Sequence, residues 1–198
     1  MLACFVRIDP VFRLACIIVL PGGIATAGFI IYKTFSYSWH PSLPNFQAKL
    51  DTPFALVGIR TEGDALAEIV YLPRRAGTLA PANALAERAC AQIEKYAADP
   101  GYRFALPLKQ VGTPFQRRVW DQIAAIPCGE TRTYGDLARS LRSAPRAVGQ
   151  ACGTNYFPLV IPCHRVVAAG GLGGFAHASG GYLIEVKRRL LRHEQRAD

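Results

Sequence analysis

Thr113-Pro114-Phe115-Gln116 restricts the fold more than any other stretch of the chain. Threonine at an N-cap, proline at the first helical position and glutamine at the third satisfy a helix start locally, before any tertiary contact. Phe115, Val119, Trp120, Ile123 and Ile126 then put an apolar stripe on one helix face, ended by Pro127-Cys128-Gly129. Thr133 is placed to cap a second helix, Tyr134 to Leu141, and Ser143 or Ala144 to start a third, Pro145 to about Gly153. Two short helices joined by a tight turn in a basic segment form a helix-turn-helix pattern. After a glycine-rich loop, 170–181, a last helix is predicted from Tyr182 to His193, carrying a Lys187-Arg188-Arg189 cluster.

The stretch upstream has a different rhythm. Phe54 to Arg60 and Leu66 to Leu72 are short β-like runs separated by Thr61-Glu62-Gly63-Asp64, which predicts a hairpin. Asn83 to Ala98 has helical periodicity (Leu85, Ala89, Ile93, Tyr96) and stops before Asp99-Pro100-Gly101. The fold class is therefore α+β: a small N-terminal α/β domain, 46–108, followed by a C-terminal helix-turn-helix, winged-helix-like domain, 109–194.

Hydrophobic residues make up 51% of the 198 and charged residues 19%, a globular composition rather than a disordered one. The net charge of +9 is unevenly placed. Residues 46–100 carry 6 Lys/Arg against 7 Asp/Glu, whereas 101–198 carry 14 against 6. A basic C-terminal half beside a neutral one fits a face that binds a polyanion, or a solvated basic surface without a partner. The six cysteines (4, 16, 90, 128, 152 and 163) have no C-x-x-C spacing and are too few for a disulfide scaffold. Reduced thiols in a cytoplasmic protein fit them, and Cys90 and Cys152, among small apolar residues, read as buried and inert.

The first 45 residues stand apart as an atypical apolar extension. Leu14 to Tyr32 is an uncharged, mostly apolar run of 19 interrupted by Pro21-Gly22-Gly23, and Ala25-Thr26-Ala27 resembles a signal-peptidase site. A membrane anchor, a signal peptide and a wrongly assigned start codon all fit; a non-native or disordered extension is the reading preferred here. Cys4, Cys16 and His40 match no common zinc spacing, so no metal is expected.

Two stretches carry chemistry. In Pro162-Cys163-His164-Arg165 a thiol has an imidazole and a guanidinium beside it, two means of favouring the nucleophilic thiolate. His164 needs a turn or a bridging water to reach the sulfur, since neighbours in an extended chain point oppositely. The second stretch, Arg146 to Gly153 (RAVGQACG), is a poor helix former, each glycine costing about 1 kcal/mol relative to alanine. Its small residues suit close helix packing, or entry into a narrow groove of nucleic acid with Arg146 as a wedge.

Taken in order, Thr113-Pro114-Phe115-Gln116 with Trp120, Ile126-Pro127 with Gly129-Glu130, Thr133-Tyr134-Gly135 with Leu137-Ala138, Arg146-Ala147-Val148-Gly149, Asn155, Pro162 to Val167, and Leu190-Leu191 with His193-Glu194 resemble the O6-alkylguanine-DNA alkyltransferases (methylated-DNA–protein-cysteine methyltransferases). The resemblance covers about 46–194 and is strongest from 113 onward. It implies stoichiometric repair of O6-alkylguanine, and of O4-alkylthymine, in double-stranded DNA by a cytoplasmic monomer without a cofactor. It further implies minor-groove binding with base flipping. Cys163 would be the alkyl acceptor, His164 the base acting through a water, and Glu194 the group orienting it. Tyr134, Arg146, Ala147, Gly149, Ala151, Asn155 and Ser179 would contact DNA or the base, with Arg146 filling the gap left by the flipped guanine, Tyr134 pressing on the target phosphate and Asn155 tying the recognition helix to the active-site turn. Arg165 would brace the structure by pairing with a carboxylate.

The chain departs from the family at Tyr156, where proline is common, and at Phe175, where tyrosine is usual. Its loop 175–181 is slightly longer than the compact form, leaving Ser179 and Ala176 as alternatives for the N–H that meets guanine O6. A winged-helix regulator with an incidental Cys163, and a cysteine hydrolase with an oxyanion hole, are the rival readings.

Overall fold

The computed structural model describes residues 46–195, and these belong to one unit. The readings made on 1–45, from the apolar run to Cys4, Cys16 and His40, lie outside the described residues. Among the described residues no helix is long and apolar enough to cross a membrane.

Three antiparallel strands open the fold in the order β1 (Ala48–Asp51), β2 (Leu56–Glu62) and β3 (Ala65–Leu72). The expected hairpin is β2–β3, and Gly63 takes the left-handed φ of 55° that its tight turn demands. Strand β1 was not foreseen because four residues carry too little alternation. What makes it a strand is the turn after it, where Thr52 Oγ1 both donates to Ala55 O (2.6 Å) and accepts from Ala55 N (3.1 Å). Helix α1 (Ala84–Ala98), capped by Asn83 Oδ1 accepting from Ala86 N, lays Ala86, Ala89, Cys90, Ile93 and Tyr96 into the core against this sheet.

Helix α2 (Pro114–Ala124) starts with the predicted capping box, and Thr133 closes a second one with Asp136 ahead of α3 (Tyr134–Ser140). Helix α4 (Pro145–Gly153) packs on both α2 and α3, with Val148, Ala151 and Cys152 inward. A two-residue parallel ladder, β4 (Arg132–Thr133) with β5 (Val166–Val167), joins the start of α3 to the stretch after Cys163; it is too short to show in sequence. Helix α5 (Tyr182–Glu194) closes the fold over residues 163–165.

The change of architecture near residue 108 does not divide the core. The free edge of β3 accepts the following segment, with Leu66 N donating to Pro107 O (2.7 Å) and Lys109 N to Leu66 O (2.9 Å), while Ile69 N donates to Tyr156 O (2.8 Å). One hydrophobic cluster runs from Ala48 to Leu190 across this seam. The sheet and α1 thereby become the floor on which the C-terminal elements are held.

Candidate active site

Cys163 begins a single 3-10 turn, Cys163–Arg165, so the chain is not extended where His164 follows the thiol. Pro162, at φ −79° and ψ 65°, sits in an inverse γ-turn, and Cys163 N donates to Ile161 O at 2.8 Å. Asn155 fastens the same loop from the end of α4: its Nδ2 donates to Ile161 O (2.8 Å) and its Oδ1 accepts from Phe157 N (3.0 Å). Leu159, buried between these anchors, is held at a left-handed φ of 76°, a strained conformation for a branched residue. Cys163 is buried, and burial pushes its thiol up; Asn155, the charge of Lys187 and its own backbone work against that.

His164 and Glu194 are buried together, with His164 Nε2 2.7 Å from Glu194 Oε1. Glu194 also receives Arg165 in two-pronged fashion, Nε to Oε2 at 2.9 Å and Nη2 to Oε1 at 2.8 Å, and the hydroxyl of Tyr96 at 2.7 Å on Oε1. Burial alone would raise the carboxyl of Glu194, but the hydrogen bonds from His164 and Arg165, the charge His164 carries when protonated, and the hydrogen bond from Tyr96 hold it well below the usual range. A carboxylate that stays ionised only accepts, so Nε2 of the neutral imidazole carries the proton and Nδ1 the lone pair. Nδ1 is buried and has no hydrogen-bond partner among the described residues. Burial pushes the imidazole of His164 down, against the pull of Glu194. The arrangement can take up a proton at one atom, Nδ1, beside a buried thiol.

Lys187 is a residue that sequence reading missed. It is fully buried, its Nζ donating to Val166 O (2.6 Å), Leu172 O (2.7 Å) and Gly174 O (2.9 Å). Burial lowers its pKa to about 8. It ties α5 to the loop over the site and stands 5.9 Å from the centre of the Tyr134 ring. Its spacing from Ile184, Leu190 and Glu194 on one helix face was the available signal, hidden by the arginines that follow it.

The other predicted contacts fall in different places. Tyr134 is half-buried at the start of α3, its hydroxyl donating to Gly174 O at 3.1 Å and its ring passing close to Gly149 and Gly173. Arg146 is exposed on the first turn of α4, Ala147 and Gly149 are partly exposed, and Ser179 lies in the exposed loop. Ala151 is a correction: it is buried, and its carbonyl accepts from Trp120 Nε1 at 2.9 Å, so it belongs to the α2–α4 contact and offers no side chain to DNA. Phe175 is buried with its ring 5.7 Å from that of Tyr71, and the two residues after it, Ala176 and His177, turn through left-handed φ of 47° and 62°. The cavity of about 550 Å³ between Tyr96, Tyr102, Cys128 and Arg165 is not lined by Cys163. Among the described residues no group of three or more His, Cys, Asp or Glu could hold a metal ion.

Residues 114–196 match the family model for the DNA-binding domain of 6-O-methylguanine DNA methyltransferase. The constitutive methylated-DNA–protein-cysteine methyltransferase of Bacillus subtilis is 45% identical over 107 residues, 52% of this chain and 62% of that protein, so the match spans less than two thirds of this relative. The enzyme of the same name from Mycobacterium leprae is 38% identical over 129 residues, 62% of this chain and 78% of that one. Among solved structures, the O6-methylguanine methyltransferase of Mycobacterium tuberculosis superposes with a TM-score of 0.63 at 34% identity, covering 76% of this chain and 92% of that one. Mycobacterium tuberculosis OGT in complex with DNA gives 0.61 at 33% identity, covering 75% and 92%. The α+β architecture is therefore shared, and the chain belongs to the methylated-DNA–protein-cysteine methyltransferase family.

Proposed function

We propose that the chain repairs DNA by moving the alkyl group of O6-alkylguanine, and of O4-alkylthymine, onto the sulfur of Cys163, once per molecule. The observation that carries this reading is the buried His164–Glu194 hydrogen bond, one residue on from the buried Cys163, with an unpartnered acceptor left at His164 Nδ1. A water between Nδ1 and Sγ passes the thiol proton to His164, and Glu194 stabilises the imidazolium. The thiolate attacks the alkyl carbon, the new C–S bond replaces the C–O6 bond, and the electron pair stays on guanine O6. The imidazolium returns its proton to the leaving guanine, so charge balances without a cofactor. A thioether is a poor leaving group, so Cys163 is spent.

DNA binds as a duplex through α3 and α4, used as a helix-turn-helix in a winged-helix-like domain, 109–194, that follows the N-terminal domain, 46–108. The exposed Arg132, Arg139, Arg142 and Arg146 supply the phosphate-facing charge. Ala147 and Gly149 let α4 into the minor groove, Arg146 holds the place of the flipped base, and Tyr134 presses on its phosphate. A backbone N–H of loop 175–181, at Ala176 or Ser179, meets guanine O6. The protein acts as a monomer in the cytoplasm.

The test is incubation with duplex containing O6-methylguanine, followed by peptide mass mapping. One methyl group on Cys163 and then no further reaction is the expected result, with Cys163→Ala inactive but still binding DNA. Turnover beyond one equivalent, as a hydrolase would give, or methyl on Cys128 or Cys152, overturns it.

A further inference from the structure

Tyr96 lies on α1, far in sequence from every residue of the proposed chemistry, yet its hydroxyl reaches the same oxygen of Glu194 that His164 uses. Orientation of the carboxylate does not need it. Arg165 already grips both oxygens, Nε on Oε2 and Nη2 on Oε1. Oε1 therefore receives three donors, and they share its electron density. A hydrogen bond donated to a charged acceptor weakens the acceptor's pull on its other partners. Every donor beyond Arg165 thus reduces the help that Glu194 gives to an imidazolium at His164.

We propose that Tyr96 is a positioning residue that acts through Glu194 to restrain the basicity of His164, so that Cys163 stays a neutral thiol in the protein without substrate. The proposal rests on the Cys163, His164 and Glu194 roles given above. The tyrosine can only donate here, because burial and the neighbouring carboxylate of Glu194 push its hydroxyl far up. The other ionisable groups around Cys163 and His164 are Lys187 on α5, Arg165 on the same turn, Cys152 on α4 and Tyr134 on α3. Around Tyr96 they are Glu194, Arg165, Cys128 and His193, whose ring stands edge-on at 5.3 Å. Of the non-catalytic groups, Tyr96 is the one that shares Oε1 with His164 as a neutral donor, so removing it changes the hydrogen bonding and no formal charge.

Tyr96→Phe keeps the ring that packs against Phe54, Phe104 and His193 and deletes only the hydroxyl. The experiment is the pH dependence of iodoacetamide labelling at Cys163, read by peptide mass spectrometry. In Tyr96→Phe the midpoint should move to lower pH by about half a unit, roughly threefold more thiolate at a fixed pH below it. In a Glu194→Gln background the same substitution should move nothing. Replacing Tyr96 with 3-fluorotyrosine, a stronger donor of nearly the same size, should move the midpoint the other way and serves if the phenylalanine variant does not fold. An unmoved or raised midpoint in Tyr96→Phe, or an equal shift without the Glu194 carboxylate, overturns the proposal. Labelling needs no damaged DNA, so a protein that labels as expected but takes no methyl group would overturn the repair reading and leave this one standing.

Discussion

His164 Nε2 and Glu194 Oε1 stand 2.7 Å apart with each side chain only 1% exposed, so their hydrogen bond is shielded from water on all sides. Shielding strengthens the interaction and makes it expensive to leave half-made. Two expectations depend on that pair, one kinetic and one thermodynamic.

Glu194→Gln replaces an acceptor with a group that can still fill the space but no longer stabilises an imidazolium. Transfer from O6-methylguanine DNA should slow by tenfold or more, since general-base assistance is worth about 10²–10⁴. The midpoint of Cys163 labelling should rise in pH, because the thiol loses the base that takes its proton. Labelling of Cys163 across pH reports this directly, and an unchanged midpoint would take Glu194 out of the mechanism.

Acid should destabilise the protein in two stages. Both groups have folded-state pKa values below their ordinary ones, so the unfolded chain binds more protons as pH falls and stability is lost. For His164 the loss begins near its ordinary value of 6.5, and for Glu194 near 4.5, continuing in each case down through the depressed folded value. Calorimetric Tm should drop between pH 7 and 5.5 and again toward pH 4. His164→Gln should flatten the first step. A variant as sensitive as the parent in that interval would assign the step to another group.

Lys187→Met removes a buried charge, which is favourable, but leaves the carbonyls of Val166 and Leu172 without the donor they share, while Gly174 O keeps the hydroxyl of Tyr134. Each unsatisfied buried acceptor costs about 1–3 kcal/mol, so losing the donor to both outweighs the relief. The variant should lose several degrees of Tm and show faster amide exchange in loop 170–181. Arg188→Met, one residue on and exposed, should stay within about 0.5 kcal/mol of the parent. Equal losses at the two positions would mean that the carbonyls of Val166 and Leu172 do not depend on Lys187.

What could be read in the sequence is what is settled locally. Caps at Asn83, Thr113 and Thr133 act within one helical turn, and the helices begin where those residues stand. Strands β4 and β5, two residues each, exist only because the chain returns from Val166 to Arg132, and no local pattern encodes that. Tyr96 reaches Glu194 across 98 residues for the same reason. Leu159, Ala176 and His177 adopt left-handed backbone that a sequence announces only when the residue is glycine or asparagine. Ala151 was misjudged because a small residue looks the same whether it faces a groove or a neighbouring helix. Glu194 itself was legible only through the family resemblance; its partners give the physical reason for it.

The wedge reading gives Arg146 a different task from the other basic residues of the C-terminal half. It is exposed at the first turn of α4 and makes no ion pair or hydrogen bond among the described residues, so its side chain is available to DNA without breaking anything in the fold. Removing a phosphate contact should weaken binding in a salt-dependent way and little else. Removing a wedge should instead destabilise the extruded base, which matters for duplex and not for a base already free. Arg146→Ala should therefore slow transfer from O6-methylguanine duplex far more than transfer from free O6-benzylguanine, with Tm unchanged. Bulky replacements of Ala147 should follow the same pattern by clashing in the groove, whereas at Ala151 they should cost stability, because that side chain is already inside the core. Equal slowing on both substrates would make Arg146 a support of the site rather than a wedge.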